Sequence, residues 1–351
     1  MTGLRTGYTT GACAAAAAKA AATLLCRSTA PAEVEILLPD QSRATFPVLN
    51  CHNVGDACEA SVRKHAGDDP DVTDKACIIA TVAFVDGNEV IFAAGEGVGT
   101  VTKPGLSVPP GEPAINPAPR QMIRNAIREI TDRGMRVTIS VPDGRELAAR
   151  TFNPRLGVVG GISIIGTSGR VRPFSSAALR DALKCSLDVA AANGVRSPVL
   201  VPGNIGERAA RKNFRLSAEQ VVQVSNQWGF MLEQFAKCDF PCLMVLGHPG
   251  KLAKLVEGHW DTHSSQSPNA VPIVARLAEA ALSRRLPEST TVEGIFESLS
   301  AEEQRKLAGA LAAKIRSSIA ERLGSQREIA VVLINLTGNI LGHNGDLKPW
   351  T

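Results

Sequence analysis

Several glycine-broken motifs carry side chains able to do chemistry. Gly247-His248-Pro249-Gly250-Lys251 sets an imidazole at the end of an apolar run. An imidazole titrates near neutrality, so His248 is the candidate for proton handling. Lys251 and Lys254 begin the next helix, and Lys251 is a candidate substrate contact. Further on, Gly258-His259-Trp260-Asp261-Thr262-His263-Ser264 spaces two histidines at i, i+4 around Asp261. A zinc pair would need a third ligand of recognisable spacing, which the chain lacks, so His263 is read as a substrate contact. In Gly95-Glu96-Gly97-Val98-Gly99-Thr100, Glu96 could reach ribose hydroxyls and Lys103 a carboxylate. Pro104 and Pro109-Pro110 preclude the helix a dinucleotide fingerprint needs, and an ordinary irregular loop is the alternative. Gly166-Thr167-Ser168-Gly169 follows another apolar run and precedes Arg170 and Arg172. Thr9 or Thr10 can cap the helix that starts at Gly11, where free amides would hold a carboxylate or phosphate; close packing of a plain capped helix is the competing reading.

Other patterns are set aside. No Walker A motif exists, because Gly250-Lys251 is followed by Leu252 and position 245 is Val245. Arg120, Arg124 and Arg128 fall on one helical stripe, and Arg208, Arg211, Lys212 and Arg215 form a second cluster. Each is either a solvated face or part of a cleft for a polyanion. None of the eight cysteines forms CxxC. Cys51-His52 with Cys58, and Cys238 with Cys242, are loose metal candidates against a default of reduced, buried thiols and no bound metal.

The elements that must position these groups divide the chain at residue 153/154. Before it, turn-separated apolar pairs predict an α+β domain with an antiparallel sheet. The pairs are Glu33–Leu38 with Arg43–Val48, Ala76–Val85 with Glu89–Ala93, and Arg136–Val141 with Arg145–Phe152. Helices are expected over Ala12–Leu25, about Gly55–His65, and Pro119–Asp132. After it, continuous apolar strands at Leu156–Ile165, Pro198–Val201, Phe240–Leu246 and Ile329–Leu336 alternate with helices. That predicts an α/β Rossmann-like domain over 154–351 with a mostly parallel sheet, its ligands outside the strands' carboxyl ends. The second strand ends in Pro202-Gly203-Asn204, so the usual ribose-binding acid is either missing or replaced by Asn204 or Glu207.

Composition bounds the function. The chain has 351 residues, 44% hydrophobic and 21% charged, with mean hydropathy +0.03, which describes globular material rather than disorder. No apolar run approaches the roughly 18–20 residues of a membrane span. No targeting segment is recognised, which implies the cytoplasm. A net charge of +4 and an aromatic content of 4% argue against a nucleic-acid partner.

The motif order adds a family. Leu4 through Ala16, Gly95–Gly105, Gly111–Pro117, Asn153–Gly169 with Val171-Arg172-Pro173, Gly247–Lys254 and Thr262-His263-Ser264 together resemble the cobalt-precorrin-5B C1-methyltransferase family of early-cobalt, anaerobic cobalamin biosynthesis. The likeness spans essentially the whole chain. It implies methyl transfer from S-adenosyl-L-methionine to C1 of a cobalt-precorrin tetrapyrrole, cobalt-precorrin-5B, giving cobalt-precorrin-6A. On that footing Glu96, Gly97, Gly99, Thr100, Gly166, Thr167, Ser168 and Gly169 are candidate cofactor contacts. Thr9, Thr10, Gly11, Lys103, Arg170, Arg172, Lys251 and His263 are candidate substrate contacts, and His248 is the catalytic candidate. Thr9–Gly11, Gly95–Lys103, Gly166–Gly169 and His248 are expected to line one cleft between the domains. A non-enzymatic corrinoid carrier and a small-molecule phosphotransferase are the alternatives. Oligomeric state stays open, a homodimer included.

Overall fold

The computed structural model describes residues 3–324 and 327–351. They gather into two compact units, one ending at Ala177 and one running from Ala178 to Thr351.

The first unit is organised by α1 (Thr10–Arg27), which follows the short strand β1 (Gly7–Tyr8). Alanine has the highest helix propensity, and the Thr9 hydroxyl accepts the Ala12 N–H at the helix start. Ser28, in the left-handed region at φ 55°, ends it. Ala12–Ala18 and Ala20–Ala22 are all fully buried. Side chains this short let α1 approach α2 (Pro117–Arg128) and the strands β5 (Ala57–Arg63) and β6 (Cys77–Phe84) at once. Those strands belong to a five-stranded sheet with β4 (Asn50–Val54), β7 (Val90–Ala94) and β9 (Met135–Ser140), in the order β4-β5-β6-β9-β7. Along β6 burial alternates, with Ile78, Ala80 and Val82 turned to the core. A separate hairpin joins β2 (Glu33–Leu37) to β3 (Arg43–Pro47).

Five expectations are corrected here. Residues 57–63, expected in a helix, form β5, because pairing with both β4 and β6 overrides a local run of helix formers. β6 and β7 do not pair with each other. β9 enters between them, antiparallel to β6 and parallel to β7, so the sheet is mixed rather than antiparallel. The expected strand at Arg145–Phe152 begins instead as the helix α3 (Gly144–Ala148). The expected strand Leu156–Ile165 holds only β10 (Val158–Val159), after the short helix α4 (Asn153–Leu156). Gly157 at φ 76° and Gly160 at φ 91° take a conformation no strand contains. Residues 154–177 also lie in the first unit rather than the second. β10 pairs with β8 (Thr100–Val101), and β11 (Arg170–Val171) pairs with β1.

The second unit begins within α5 (Ser176–Ala192). Its sheet runs β13-β12-β14-β15-β16, from β12 (Val199–Val201), β13 (Val221–Gln223), β14 (Cys242–Gly247), β15 (Glu328–Ile334) and β16 (Ile340–Asn344). The first four are parallel and β16 is antiparallel to β15. Helices α6 (Asn204–Asn213), α7 (Trp228–Lys237), α8 (Pro249–Leu252), α9 (Val271–Leu282), α10 (Val292–Glu297) and α11 (Ala301–Leu323) connect the strands. Val199–Val201 and Ile329–Ile334 are wholly buried, as strands covered on both faces must be. In strand sequence the order is 2-1-3-4-5, which puts the topological switch between β12 and β14.

Candidate functional site

In the first unit the glycine motifs meet one another. The helix start is already satisfied: Gly11 N–H donates to Ile165 O at 3.0 Å, and Thr9 N–H to Gly169 O at 3.0 Å. Thr10 Oγ1 accepts the Ile165 N–H at 2.9 Å. A Cβ on Gly166 would stand 2.3 Å from Thr9 Cβ, and one on Gly11 would meet Pro119 Cγ at 2.7 Å. The second glycine loop is equally occupied. Gly99 N–H donates to Ile162 O and Gly97 O accepts from Ile162 N, both at 2.9 Å. Gly97, at φ +69°, would drive a Cβ to 1.8 Å from Val141 O. These glycines let backbone cross backbone, and Thr100 is held in β8 opposite Val159.

What this packing leaves outward is a short set of side chains. Glu96, Thr167, Ser168 and Arg172 are exposed, and Lys103 lies with its stem against Gly157. Ser168 Oγ accepts the Arg170 N–H at 3.3 Å. The Arg170 guanidinium donates to Ser42 Oγ at 3.0 Å and sits over the Tyr8 ring, which binds β11 to the β2–β3 turn. The arginine stripe on α2 is likewise spent on structure. Arg120 Nε donates to Ile115 O at 2.7 Å, Arg124 covers the Phe92 ring, and Arg128 donates to the carbonyls of Asn88, Thr131 and Arg133. On α6, Arg211 pairs with Glu207 and Lys212 with Asn339 Oδ1.

The second unit gathers polar groups at the carboxyl ends of its parallel strands. Past β14, His248 Nδ1 accepts the Gly250 N–H at 3.0 Å, so the ring proton is on Nε2, which donates to Glu293 Oε2 at 2.7 Å. Both ring nitrogens are engaged, and the basic atoms of the pair are those of the Glu293 carboxylate. Glu293 comes from the first turn of α10, and its Oε1 accepts the Leu336 N–H past β15. Leu336, past the end of β15, exposes apolar surface beside this pair.

Past β13, Asn226 Oδ1 accepts from Lys251 Nζ at 2.6 Å and from Thr262 Oγ1 at 3.3 Å. Burial, together with the like charge of Lys254, draws Lys251 below the usual lysine range, against the pull of Asp261. Asp261 accepts from Gln227 Nε2 and the His263 N–H, and Gln227 accepts from Arg180. The His263 ring is exposed and accepts the Ser265 N–H at 3.2 Å. Glu293, Asn226 and the pairing of Lys254 were not singled out from sequence. The one available signal was the polar run Ser225-Asn226-Gln227 directly after the valine-rich Val221-Val222-Gln223-Val224. Among the described residues no cluster of three His, Cys, Asp or Glu is placed to hold a metal ion, and no helix is long and apolar enough to cross a membrane.

Fold and site define a mixed α/β protein of two units whose polar loops sit at parallel-strand ends and between glycine crossings. The family model CbiD matches residues 1–173, and the model for the CbiD C-terminal domain matches residues 261–345. A relative from Syntrophotalea carbinolica, named cobalt-precorrin-5B C(1)-methyltransferase, is 56% identical over 100% of both chains. One of the same name from Alkaliphilus metalliredigens is 39% identical over 97% of this chain and 92% of its own. A crystal structure titled as a cobalamin biosynthesis protein (cbiD) from Archaeoglobus fulgidus is 27% identical, covers 73% of this chain and 81% of its own, and superposes with a TM-score of 0.39. The chain belongs to the CbiD family.

Proposed function

We propose that this chain transfers a methyl group from S-adenosyl-L-methionine to C1 of cobalt-precorrin-5B, as a cytoplasmic enzyme of cobalamin biosynthesis. The observation that carries the reading is the end-to-end match at 56% identity to a methyltransferase of that name. The reaction is a displacement at carbon. The bond from methyl carbon to sulfur breaks as the bond to C1 forms, the sulfonium becomes a thioether, and the displaced proton goes to a base. The protein's task is alignment and proton removal, and no covalent nucleophile is needed.

The residues present fit such a donor. A Cβ on Gly203 would meet nothing within 4 Å, which leaves open backbone at the switch point between β12 and β14. The Rossmann-like domain is taken as the observed unit from Ala178 onward, and this edge is where such a sheet receives a ligand. In the first unit, exposed Glu96, Thr167 and Ser168 are the proposed polar contacts of the donor. Glu96 is assigned to the donor's ammonium or ribose and not to its sulfur, because an anion against a sulfonium stabilises the ground state more than the transition state. The His248–Glu293 pair handles the proton: the ring orients the carboxylate, and the carboxylate accepts.

The test is incubation of the pure chain with cobalt-precorrin-5B and methyl-labelled donor, followed by mass spectrometry of the macrocycle. Label on the tetrapyrrole is the expected result. Corrinoid binding with neither label transfer nor affinity for S-adenosylhomocysteine would make the chain a carrier instead.

A further inference from the structure

Two ammonium groups in the second unit converge with no anion between them. Lys254 is 6% exposed. Its Nζ donates to Thr262 O at 3.2 Å and to Ser267 Oγ at 2.9 Å. Lys251, half-buried, donates to Asn226 Oδ1 at 2.6 Å and reaches the same Thr262 oxygen at 3.5 Å. Among the described residues neither has a carboxylate at ion-pair distance. Asp261, the nearby acid, turns its two oxygens to Gln227 Nε2 and the His263 N–H. Each ammonium carries three donors and meets two acceptors, so each keeps a donor in reserve.

This arrangement costs free energy. Like charges that share one neutral carbonyl, partly removed from water, repel each other and lose hydration together. A structural pin would need only one cation there, and a buried lysine in a purely structural role is ordinarily paired. The backbone beneath is strained as well. Ser225 sits in the left-handed region at φ +53°, which turns the chain so that Asn226 meets Lys251 and Thr262. Asn226 follows β13 and Lys251 follows β14, so the groups stand at the carboxyl ends of the two parallel strands that flank β12, the end at which ligands of such sheets bind.

We infer that Lys251 and Lys254, backed by Asn226 and the Thr262 carbonyl, form a carboxylate-binding site. The choice of carboxylate rests on the methyltransferase reading, which supplies two sources of one chemistry. One is the amino-acid carboxylate of the methyl donor. The other is an acetate or propionate arm of the macrocycle.

The experiment uses the full chain with Lys251→Gln and Lys254→Gln, each checked for folding by thermal melting. Four probes are titrated calorimetrically. S-adenosylhomocysteine is compared with 5′-methylthioadenosine, the same nucleoside without a carboxylate. A stable cobalt corrinoid with free acetate and propionate arms is compared with its fully amidated form. Lys251→Gln should weaken one acid-bearing probe by about tenfold to a hundredfold, the usual effect of losing a charged hydrogen bond, and leave its acid-free counterpart unchanged. Loss on S-adenosylhomocysteine assigns the site to the donor, and loss on the corrinoid acid assigns it to the acceptor. Unchanged affinity for both acids, or equal loss with and without the carboxylate, overturns the inference. If Lys254→Gln does not fold, Lys251→Gln decides alone, since its ammonium is only half-buried. Label transfer by the wild-type chain, run alongside, judges the enzymatic reading separately. Transfer with unaltered affinities in both variants rejects the site and keeps the enzyme, whereas selective loss without transfer keeps the site and rejects the enzyme.

Discussion

Replacing His248 tests its two ring contacts separately. His248→Ala removes the acceptor of the Gly250 N–H and the donor to Glu293. Loss of a capping acceptor costs about 1 kcal/mol. A hydrogen bond to a charged group is worth about 1.5–3 kcal/mol, and the lower end applies because water reaches Glu293 once the ring is gone. The sum is about 2–3 kcal/mol of stability. His248→Asn should recover the capping part, since an amide oxygen can accept the Gly250 N–H, but the shorter side chain cannot reach Glu293. All three tryptophans, Trp228, Trp260 and Trp350, lie in the second unit, so their fluorescence in urea reports its unfolding directly. The expected order of midpoints is wild type, then Asn, then Ala. In turnover the order should differ: both variants lose kcat together, because both leave Glu293 unoriented, while affinity for S-adenosylhomocysteine holds. A His248→Asn enzyme with wild-type kcat would refute the proton-handling role, and a His248→Ala midpoint equal to wild type would refute the structural one.

Gly97→Ala should destabilise the first unit severely or prevent its folding, since a Cβ would lie 1.8 Å from Val141 O. Gly160→Ala, with nothing within 4 Å, should cost only the roughly 1 kcal/mol of a left-handed alanine, and circular-dichroism melts compare the two. Glu96→Ala should weaken S-adenosylhomocysteine by roughly tenfold to a hundredfold in calorimetry with no change in melting temperature, and unaltered affinity would remove Glu96 from the donor site. Burial of Asp71 alone would raise its pKa, but the Lys64 ammonium at 2.7 Å and the bonds from Thr73 outweigh burial and hold the carboxyl below its ordinary value. A depressed pKa gives stability that is present above the unfolded value near 4 and lost as pH falls through the folded one. The urea midpoint of the first unit, followed by circular dichroism, should therefore stay level down to about pH 5 and then fall. Lys64→Met should cost about 3 kcal/mol of stability at neutral pH and remove Asp71's part of the acid fall, because burial without the ammonium no longer leaves the carboxyl depressed.

What was legible in the sequence follows from how local each signal is. α1, α2, β14 and β15 announce themselves through alanine content, helical periodicity or unbroken apolar runs. β5 does not. Ala57-Cys58-Glu59-Ala60 favours a helix taken alone, and only pairing on both edges makes it a strand. The insertion of β9 beside β7 is equally invisible, because Asp86-Gly87-Asn88 is a good hairpin turn whichever strand comes to lie alongside. At the site, the glycine motifs were legible as motifs, but their partners were not. That Gly97 clears Val141 and Gly166 clears Thr9 depends on chain segments 44 and 157 residues away. His248 was visible by residue type, whereas Glu293, 45 residues on at an ordinary helix start, becomes meaningful only through its contact with the ring.

A ligand finds different groups to bind in each unit. In the first unit the amides of Thr9, Gly11, Gly95 and Gly99 are given to other segments, so those motifs act as crossings that hold a few outward side chains, Glu96 among them. In the second unit the strand ends keep donors in reserve on Lys251 and Lys254 and a carboxylate oriented by His248. Methyl transfer from a sulfonium asks for this kind of division. The positive charge on sulfur disappears as the new bond forms, so cationic surroundings disfavour the charged ground state more than the transition state, and a carboxylate bound between the two lysines offsets their repulsion of the donor. An acid at the sulfur would act in the opposite sense. Glu293, at the strand ends, is instead hydrogen-bonded to an imidazole and a backbone amide, which fixes its direction and leaves it suited to receive a proton from the acceptor carbon.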